Sequence, residues 1–316
     1  AEVYLNQYVA NADQGPELEY LKTDFTYARG NFSEARNKAQ ALINQFGEKV
    51  NPRMYKMVAY TADTLGDLAA AKQAMNTYFA KVDTAEILPA DYLELANINS
   101  KMQGSQTEAF ENFRAAIARD TAVENKIKYI NQAAALAKKL GDRQQEARWL
   151  GIAYHMDPNP SQTDLYNWGY AHYQAGNYDS SSNIFCSMYE TKYPNEIFGY
   201  LWCARSEQAK DTTKLSEAAA ATYKTLTTMA MQIDSVKYKA QAKNALYTLT
   251  TYANDVKKDP NAALTYIDRI LAMDPADPNA IKIKDILVKA INKPAKTTAP
   301  PAKKTTSSTT KSGGGA

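Results

Sequence analysis

The chain has 316 residues, 45% of them apolar and 22% charged, with a formal net charge of +3. Five lysines and no acid fall in residues 293–316, so the remainder carries about −2 (3 − 5), which argues against a nucleic-acid surface on the folded part. Two cysteines and two histidines are too few for a disulfide framework or most metal chemistry, and no apolar run approaches the ~20 residues that span a bilayer.

Ala, Leu, Lys and Gln dominate and alternating β-branched runs are missing, which predicts an all-α protein. The opening residues, AEVYLNQYVA, read as the middle of a helix and carry no secretory signal peptide. Ala1, Leu5 and Tyr8 have the spacing of a second helix, broken at Asp13 to Pro16, so residues 1–12 are expected to be half of a helix pair whose first helix lies upstream. From there glycine is a ruler. Gly30, Gly66, Gly104, Gly141 and Gly176 lie 36, 38, 37 and 35 residues apart.

Five, nine and twelve residues past each glycine, similar side chains return: Ala35, Ala39 and Leu42; Ala71, Met75 and Tyr78; Ala109, Phe113 and Ala116. Glu146 breaks the series, and Ala147 is expected to take its small site. Helix axes about 8–10 Å apart leave room only for a small side chain at the crossing. Asp157-Pro158, Tyr193-Pro194 and Asp274-Pro275 are expected to end second helices, because proline has no N–H to donate. Asp83, Asp120 and Asp157 are expected to start the next helices by accepting free N–H groups.

The clearest copy runs from Asp164 to Pro194. Leu165, Trp168-Gly169, His172, Gly176, Tyr178, Phe185 and Pro194 sit where the tetratricopeptide repeat places its signature residues, with Ser181 for its small Ala. The sequence therefore resembles that family, strongly from Gly30 to Pro194 and more weakly elsewhere over residues 1–291. The resemblance implies a right-handed α-solenoid of about six repeats over 13–291. Past Pro194, helices are expected over 197–210, 215–232 and 236–257, with Asp211-Thr212-Thr213 and Lys258-Asp259-Pro260-Asn261 as turns. Ala263, Ile267 and Ile270 keep the spacing, and 279–291, with Ile281, Ile286, Leu287 and Ile291, reads as a capping helix. Residues 292–316 are read as a disordered Lys/Thr/Ser/Pro/Gly tail.

In this family the first helices line a concave groove, and the exposed positions fall ten, six and three residues before the turn. The resemblance thus nominates Tyr20, Asp24 and Tyr27; Lys56, Tyr60 and Asp63; Glu94, Ile98 and Lys101; Asn131, Ala135 and Lys138; and Tyr166, Tyr170 and Tyr173. Tyrosine offers a large rigid area plus a hydroxyl, which suits an extended peptide or a partner's helix. The competing reading packs several tyrosines between neighbouring helices. One subfamily clamps chaperone C-termini with Lys and Asn on successive first helices. Lys56 could match the lysine, but Tyr60 stands where Asn is required and the next repeat offers Glu94, so that reading is rejected.

No phosphate loop, HExxH or GxSxG is present, no cofactor is expected, and an enzyme ranks last because no nucleophile–base pair or metal set is visible. His172 reads as a packed core residue and His155 as a helix-end residue favouring the negative dipole terminus. Cys186 and Cys203 are read as two buried thiols, with a disulfide as the alternative that Cα geometry decides. Asp followed by Ser or Thr and then an apolar residue or Thr occurs around Thr64, Thr84, Thr121, Thr212 and Ser235, where composition predicts about one match. The tripeptide resembles the O-glycosylation sequence of certain anaerobic Gram-negative bacteria, which acts on exported proteins; Asp-Thr is also ordinary turn chemistry. The reading that follows is a non-enzymatic scaffold binding proteins in a bacterial periplasm or outer-membrane complex. The alternatives are a SusD-like carbohydrate-binding protein, with Trp149, Trp168 and Trp202 stacking on glycan, and a cytoplasmic regulator whose basic tail touches nucleic acid.

Overall fold

The computed structural model describes residues 7–9, 11–12 and 15–292, and is helical throughout with no strand among them. Ala1 and Leu5 of the expected leading helix, and the tail from 293, lie outside the described residues; Tyr8 is helical and exposed. The chain divides into two compact units at Lys210/Asp211.

The first unit is a series of helix hairpins. They are α1 (Pro16–Ala28) with α2 (Phe32–Phe46), α3 (Arg53–Thr64) with α4 (Leu68–Lys81), and α5 (Pro89–Lys101) with α6 (Gln106–Arg119). Next come α7 (Val123–Lys139) with α8 (Arg143–Met156), and α9 (Gln162–Gln174) with α10, a second helix over 178–192 whose middle, Asn183–Tyr189, is π-helical. Helix α11 (Ile197–Ala209) packs on α10 and ends the unit.

All five ruler glycines have φ between +76° and +85°, a left-handed conformation that other residues adopt at roughly 1–2 kcal/mol. At four of them the chain closes the same way. Gly30 donates to the Tyr27 carbonyl and Asn31 to Thr26; Asp67 donates to Ala62, Asp142 to Ala137 and Asn177 to His172. These bonds satisfy the last carbonyls of the first helix. The residue after the glycine is also the N-cap of the second helix, and at Asp67 and Asp142 its side chain accepts from Ala70 and Gln145. Asp83 caps the short 3-10 helix Thr84–Glu86 through the Ala85 amide, whereas Asp120 and Asp157, expected to cap helices, accept from Ala122 and Asn159 in the connecting turns. The connections there are long enough that the next α-helix starts several residues later.

The spaced small residues form the core: Ala35, Ala39, Ala71, Met75, Ala109 and Ala116 are fully buried. Ala147 is fully buried as expected, but Glu146 is buried too, paired to Arg143 at 2.6 Å. Gly169 lets α10 close in, since a Cβ there would stand 2.8 Å from the Phe185 ring.

The second unit holds α12 (Glu217–Asp234), α13 over 239–256, whose end, Tyr252–Val256, is π-helical, α14 (Pro260–Met273) and α15 (Pro278–Ile291), each packed on the next. Here Lys258, at φ +56°, takes the left-handed place that glycine holds elsewhere, and Asp259 caps α14 through Ala262. Ala263, Ile267 and Ile270 are fully buried behind it. The last helix buries Ala280 and Leu287 but leaves Ile281 and Ile286 exposed, so its outer side is less polar than a cap requires.

Asp277 joins α13 to α15. It accepts from Tyr247 at 2.6 Å and from the Asn279 and Ala280 amides, and pairs with Lys243 at 2.5 Å. The Lys243 and Tyr247 bonds hold its carboxyl well below the usual carboxylate range. A lowered folded-state pKa means its stabilisation is complete above the ordinary carboxylate pKa and fades as pH falls through the lowered one. Asp277→Asn keeps the cap but loses the charge, so it should cost roughly 2–3 kcal/mol at pH 7. Urea unfolding at a series of pH values should show that gap closing below about pH 4.

Candidate functional site

The first helices carry two distinct patches. In the first, ion pairs bridge neighbouring first helices. Asp24 of α1 pairs with Arg53 of α3, Lys56 of α3 with Asp91 of α5, and Lys101 of α5 lies 2.8 Å from Asp63 of α3. Glu94 and Tyr27 face the same cluster. Burial, then the Asp63 charge, pushes the Glu94 carboxyl up; burial, then Glu94 and Asp63, pushes the Tyr27 hydroxyl up. Tyr60 is shifted far upward by burial and the Asp91 charge.

Several nominated groove residues have other duties. Tyr20 is 2% exposed, and its hydroxyl accepts from the Asn51 amide at 3.1 Å while its ring meets Phe46 edge-on. Ile98 is fully buried. Lys56 is committed to Asp91, a fully buried carboxylate that also accepts from Tyr78 and the Leu88 amide, each at 2.9 Å. Its ammonium stands 5.6 Å from the ring centres of Tyr60 and Tyr78. Asn131, Ala135 and Lys138 are exposed on α7.

The second patch is aromatic. Tyr166, Tyr170 and Tyr173 line α9, half-buried, and converge on Trp202 of α11 with ring centres 6.4, 4.7 and 5.0 Å away. Arg205 stacks on the outer side of Trp202 at 4.7 Å, and Phe198, 44% exposed, stands 6.3 Å from Tyr166. A cleft of about 330 Å³ opens beside it, with Tyr166 and Phe198 as aromatic walls and Gln162, Thr163 and Glu196 as polar groups. Arg205 escaped the groove positions because the ruler stopped at Gly176; Phe198 and Trp202, thirteen and nine residues before the turn at Asp211, fall outside its ten, six and three positions. Carried on to the turn at Asp211, it reaches Arg205 at six residues before.

A third concavity, about 580 Å³, lies between α8 and α9 and gathers both histidines with Arg148, Ile152, Met156 and Trp168. Trp168 packs 5.1 Å from His155 and 6.0 Å from His172, whose pKa burial lowers. Trp149, expected as a sugar platform, is 6% exposed and stacked on Phe110. All five nominated glycosylation hydroxyls, on Thr64, Thr84, Thr121, Thr212 and Ser235, belong to exposed residues.

The two cysteines are not separate thiols: Cys186 and Cys203 are disulfide-bonded. Their Cα atoms are 4.9 Å apart, within the range a disulfide spans. Gly199, one turn before Cys203, permits this, since a Cβ there would stand 2.7 Å from the Tyr189 ring. Glu190 lies beside the pair, and burial lifts its carboxyl to about 7.

No protein-family model matches the chain, and no curated protein matches it. The chain is similar to several solved structures. One is the C-terminal part of a TPR repeat-containing protein from Cytophaga hutchinsonii, 24% identical over 84% of this chain and 98% of that one, with a TM-score of 0.46. Another is a tetratricopeptide repeat protein from Parabacteroides merdae, 14% identical over 79% and 98%, at 0.35. A third is the TPR2AB domain of yeast Sti1 in its pHSP90 complex, 14% identical over 87% and 98%, at 0.39. The assignment of the fold rests on the chain's own glycine turns and buried small residues.

Lys56 and Lys101 separate the structural from the surface role of this face. Lys56→Met strands a buried carboxylate and should cost roughly 3–5 kcal/mol. Lys101→Met breaks a pair whose lysine is 47% exposed and should cost under about 1 kcal/mol in the same urea titration.

Proposed function

We propose that this tetratricopeptide-type array is a non-enzymatic scaffold that holds a protein partner on the first-helix face of its first unit, with the aromatic patch as the main contact. The supporting observation is the convergence of Tyr170, Tyr173, Trp202 and Arg205, with Phe198 standing exposed alongside. Surface Trp, Tyr and Arg in one cluster are the residues that most often dominate binding energy. The neighbouring ionic patch is already internally paired, which suits it to fixing register rather than supplying affinity. The fitting partner is an extended segment that places apolar or aromatic side chains on the rings and a carboxylate on Arg205.

The setting we propose is a bacterial periplasm or outer-membrane complex. The Cys186–Cys203 bond favours an oxidising compartment, and the exposed Asp-Thr and Asp-Ser tripeptides favour an exported, glycosylated chain. Carbohydrate is the second reading, favoured by the small cleft where Tyr166 and Phe198 flank Gln162, Thr163 and Glu196.

Affinity capture from the source organism, with the intact chain and with a Phe198→Ala/Arg205→Glu variant, tests the contact. Both side chains are exposed, so the variant should fold. A stoichiometric protein should be captured by the intact chain and lost at least about tenfold by the variant, about 1.4 kcal/mol or more. Equal capture by both moves the contact elsewhere, and retention on polysaccharide alone, lost in the variant, replaces the scaffold with the carbohydrate reading. Separately, the intact mass of the protein from its source should exceed the sequence mass, with glycopeptides at Thr64, Thr84, Thr121, Thr212 and Ser235. Unmodified peptides at all five sites would refute the glycosylation.

A further inference from the structure

Glu190 is an anomaly. It is half-buried on the last turn of α10 and makes no hydrogen bond or salt bridge among the described residues. Its stem packs on Gly199, where a Cβ would stand 3.3 Å from its Cγ. A covered carboxylate with no cation is costly, and such groups are normally paired or coordinate a metal. What lies beside it is sulfur: a carboxylate oxygen of Glu190 and the Sγ atoms of Cys186 and Cys203 all fall within 4.8 Å of one another.

We propose that reduction of the Cys186–Cys203 bond converts this corner into a binding site for a thiophilic divalent cation such as zinc, held by the two thiolates and Glu190. A small dithiol supplies the two electrons. It leaves as its own cyclic disulfide, its two protons pass to the cysteine sulfurs, and the S–S bond is replaced by two thiols. Cation binding then displaces those two protons to solvent. Two thiolates and one carboxylate on a dication leave one negative charge and one open position for water, the three-ligand pattern of an open zinc site.

The geometry accommodates the change. Two sulfurs each about 2.3 Å from a tetrahedral ion lie roughly 3.8 Å apart, a spacing that cysteines with Cα atoms 4.9 Å apart reach by side-chain rotation. The helices therefore need not separate. Cys186 lies in the π-helical stretch of α10 and is half-exposed, whereas Cys203 is 3% exposed. A reductant accordingly attacks at Cys186. Ser182, one turn earlier, stands 3.5 Å from the Cys186 sulfur and donates its hydroxyl proton to the Glu207 carboxylate. Soft thiolates with one carboxylate favour zinc, cobalt or cadmium over magnesium or calcium.

The test uses the full chain, oxidised or reduced with dithiol and then desalted, titrated with zinc against a chromophoric chelator and with cobalt by absorption. The reduced chain should bind one ion per chain with a sulfur-to-cobalt charge-transfer band, the oxidised chain none. Glu190→Gln should weaken binding on the order of tenfold, and a Cys186→Ser/Cys203→Ser double variant should abolish it. Circular dichroism checks that each form is folded. Should the serine variant unfold, the native reduced chain gives an independent readout, because zinc should slow alkylation of both thiols. No ion bound after reduction, equal binding by the oxidised chain, undiminished binding by Glu190→Gln, or alkylation unaffected by zinc would each overturn the proposal.

Discussion

Four of the five hairpins of the first unit depend on a two-residue device at the turn. A glycine in left-handed backbone ends the first helix, and the next residue's amide closes back on that helix's last carbonyls. That same residue then serves as the N-cap of the second helix. With no slack between cap and cap, the angle between the helices is set by the turn. Only small side chains then fit where they cross, which is why Ala35, Ala71 and Ala109 are buried to the last atom. The Lys258-Asp259 turn shows the geometry is what matters, since a lysine there adopts the left-handed conformation without glycine.

A fixed pitch gives the surface its character. Equivalent positions in adjacent hairpins stand side by side, so polar groups about one repeat apart in sequence become neighbours: Arg36 with Asp67, Lys72 with Glu108, Lys81 with Glu48 and Lys101 with Asp63. Most of these pairs are partly exposed and each adds little. The Lys56–Asp91 pair differs because its carboxylate is wholly covered. The same pitch stacks tyrosines of α9 against Trp202 of α11, so that one face changes from ionic to aromatic along its length.

The hairpins were legible because their causes are local. The glycine spacing, the small residues behind it and the prolines that end helices all act within a few positions, and so all can be read from one strip of sequence. What sits on the first-helix face was only partly legible. Counting back from the turn identifies a face, and it does bring together Asp24, Tyr27, Tyr60, Glu94 and Lys101, and separately Tyr166, Tyr170 and Tyr173. It cannot show that the Tyr20 hydroxyl meets the Asn51 amide, that Ile98 is covered, or that Lys56 answers a carboxylate 35 residues on. The cysteines were misread for the same reason. Their bond depends on how closely α11 approaches α10, which Gly199 decides and no periodicity reveals.

Stacked repeats touch only their neighbours, so each helix is held in place by the elements beside it. Helix α11 is the last element of the first unit, and the Cys186–Cys203 bond ties it covalently to the helix before it. The aromatic patch draws two of its five rings, Phe198 and Trp202, from α11. The bond therefore acts as a pin: while it is closed, Phe198, Trp202 and Arg205 cannot drift from the tyrosines opposite, and when it is open the readiness of that patch falls to the strength of noncovalent packing alone.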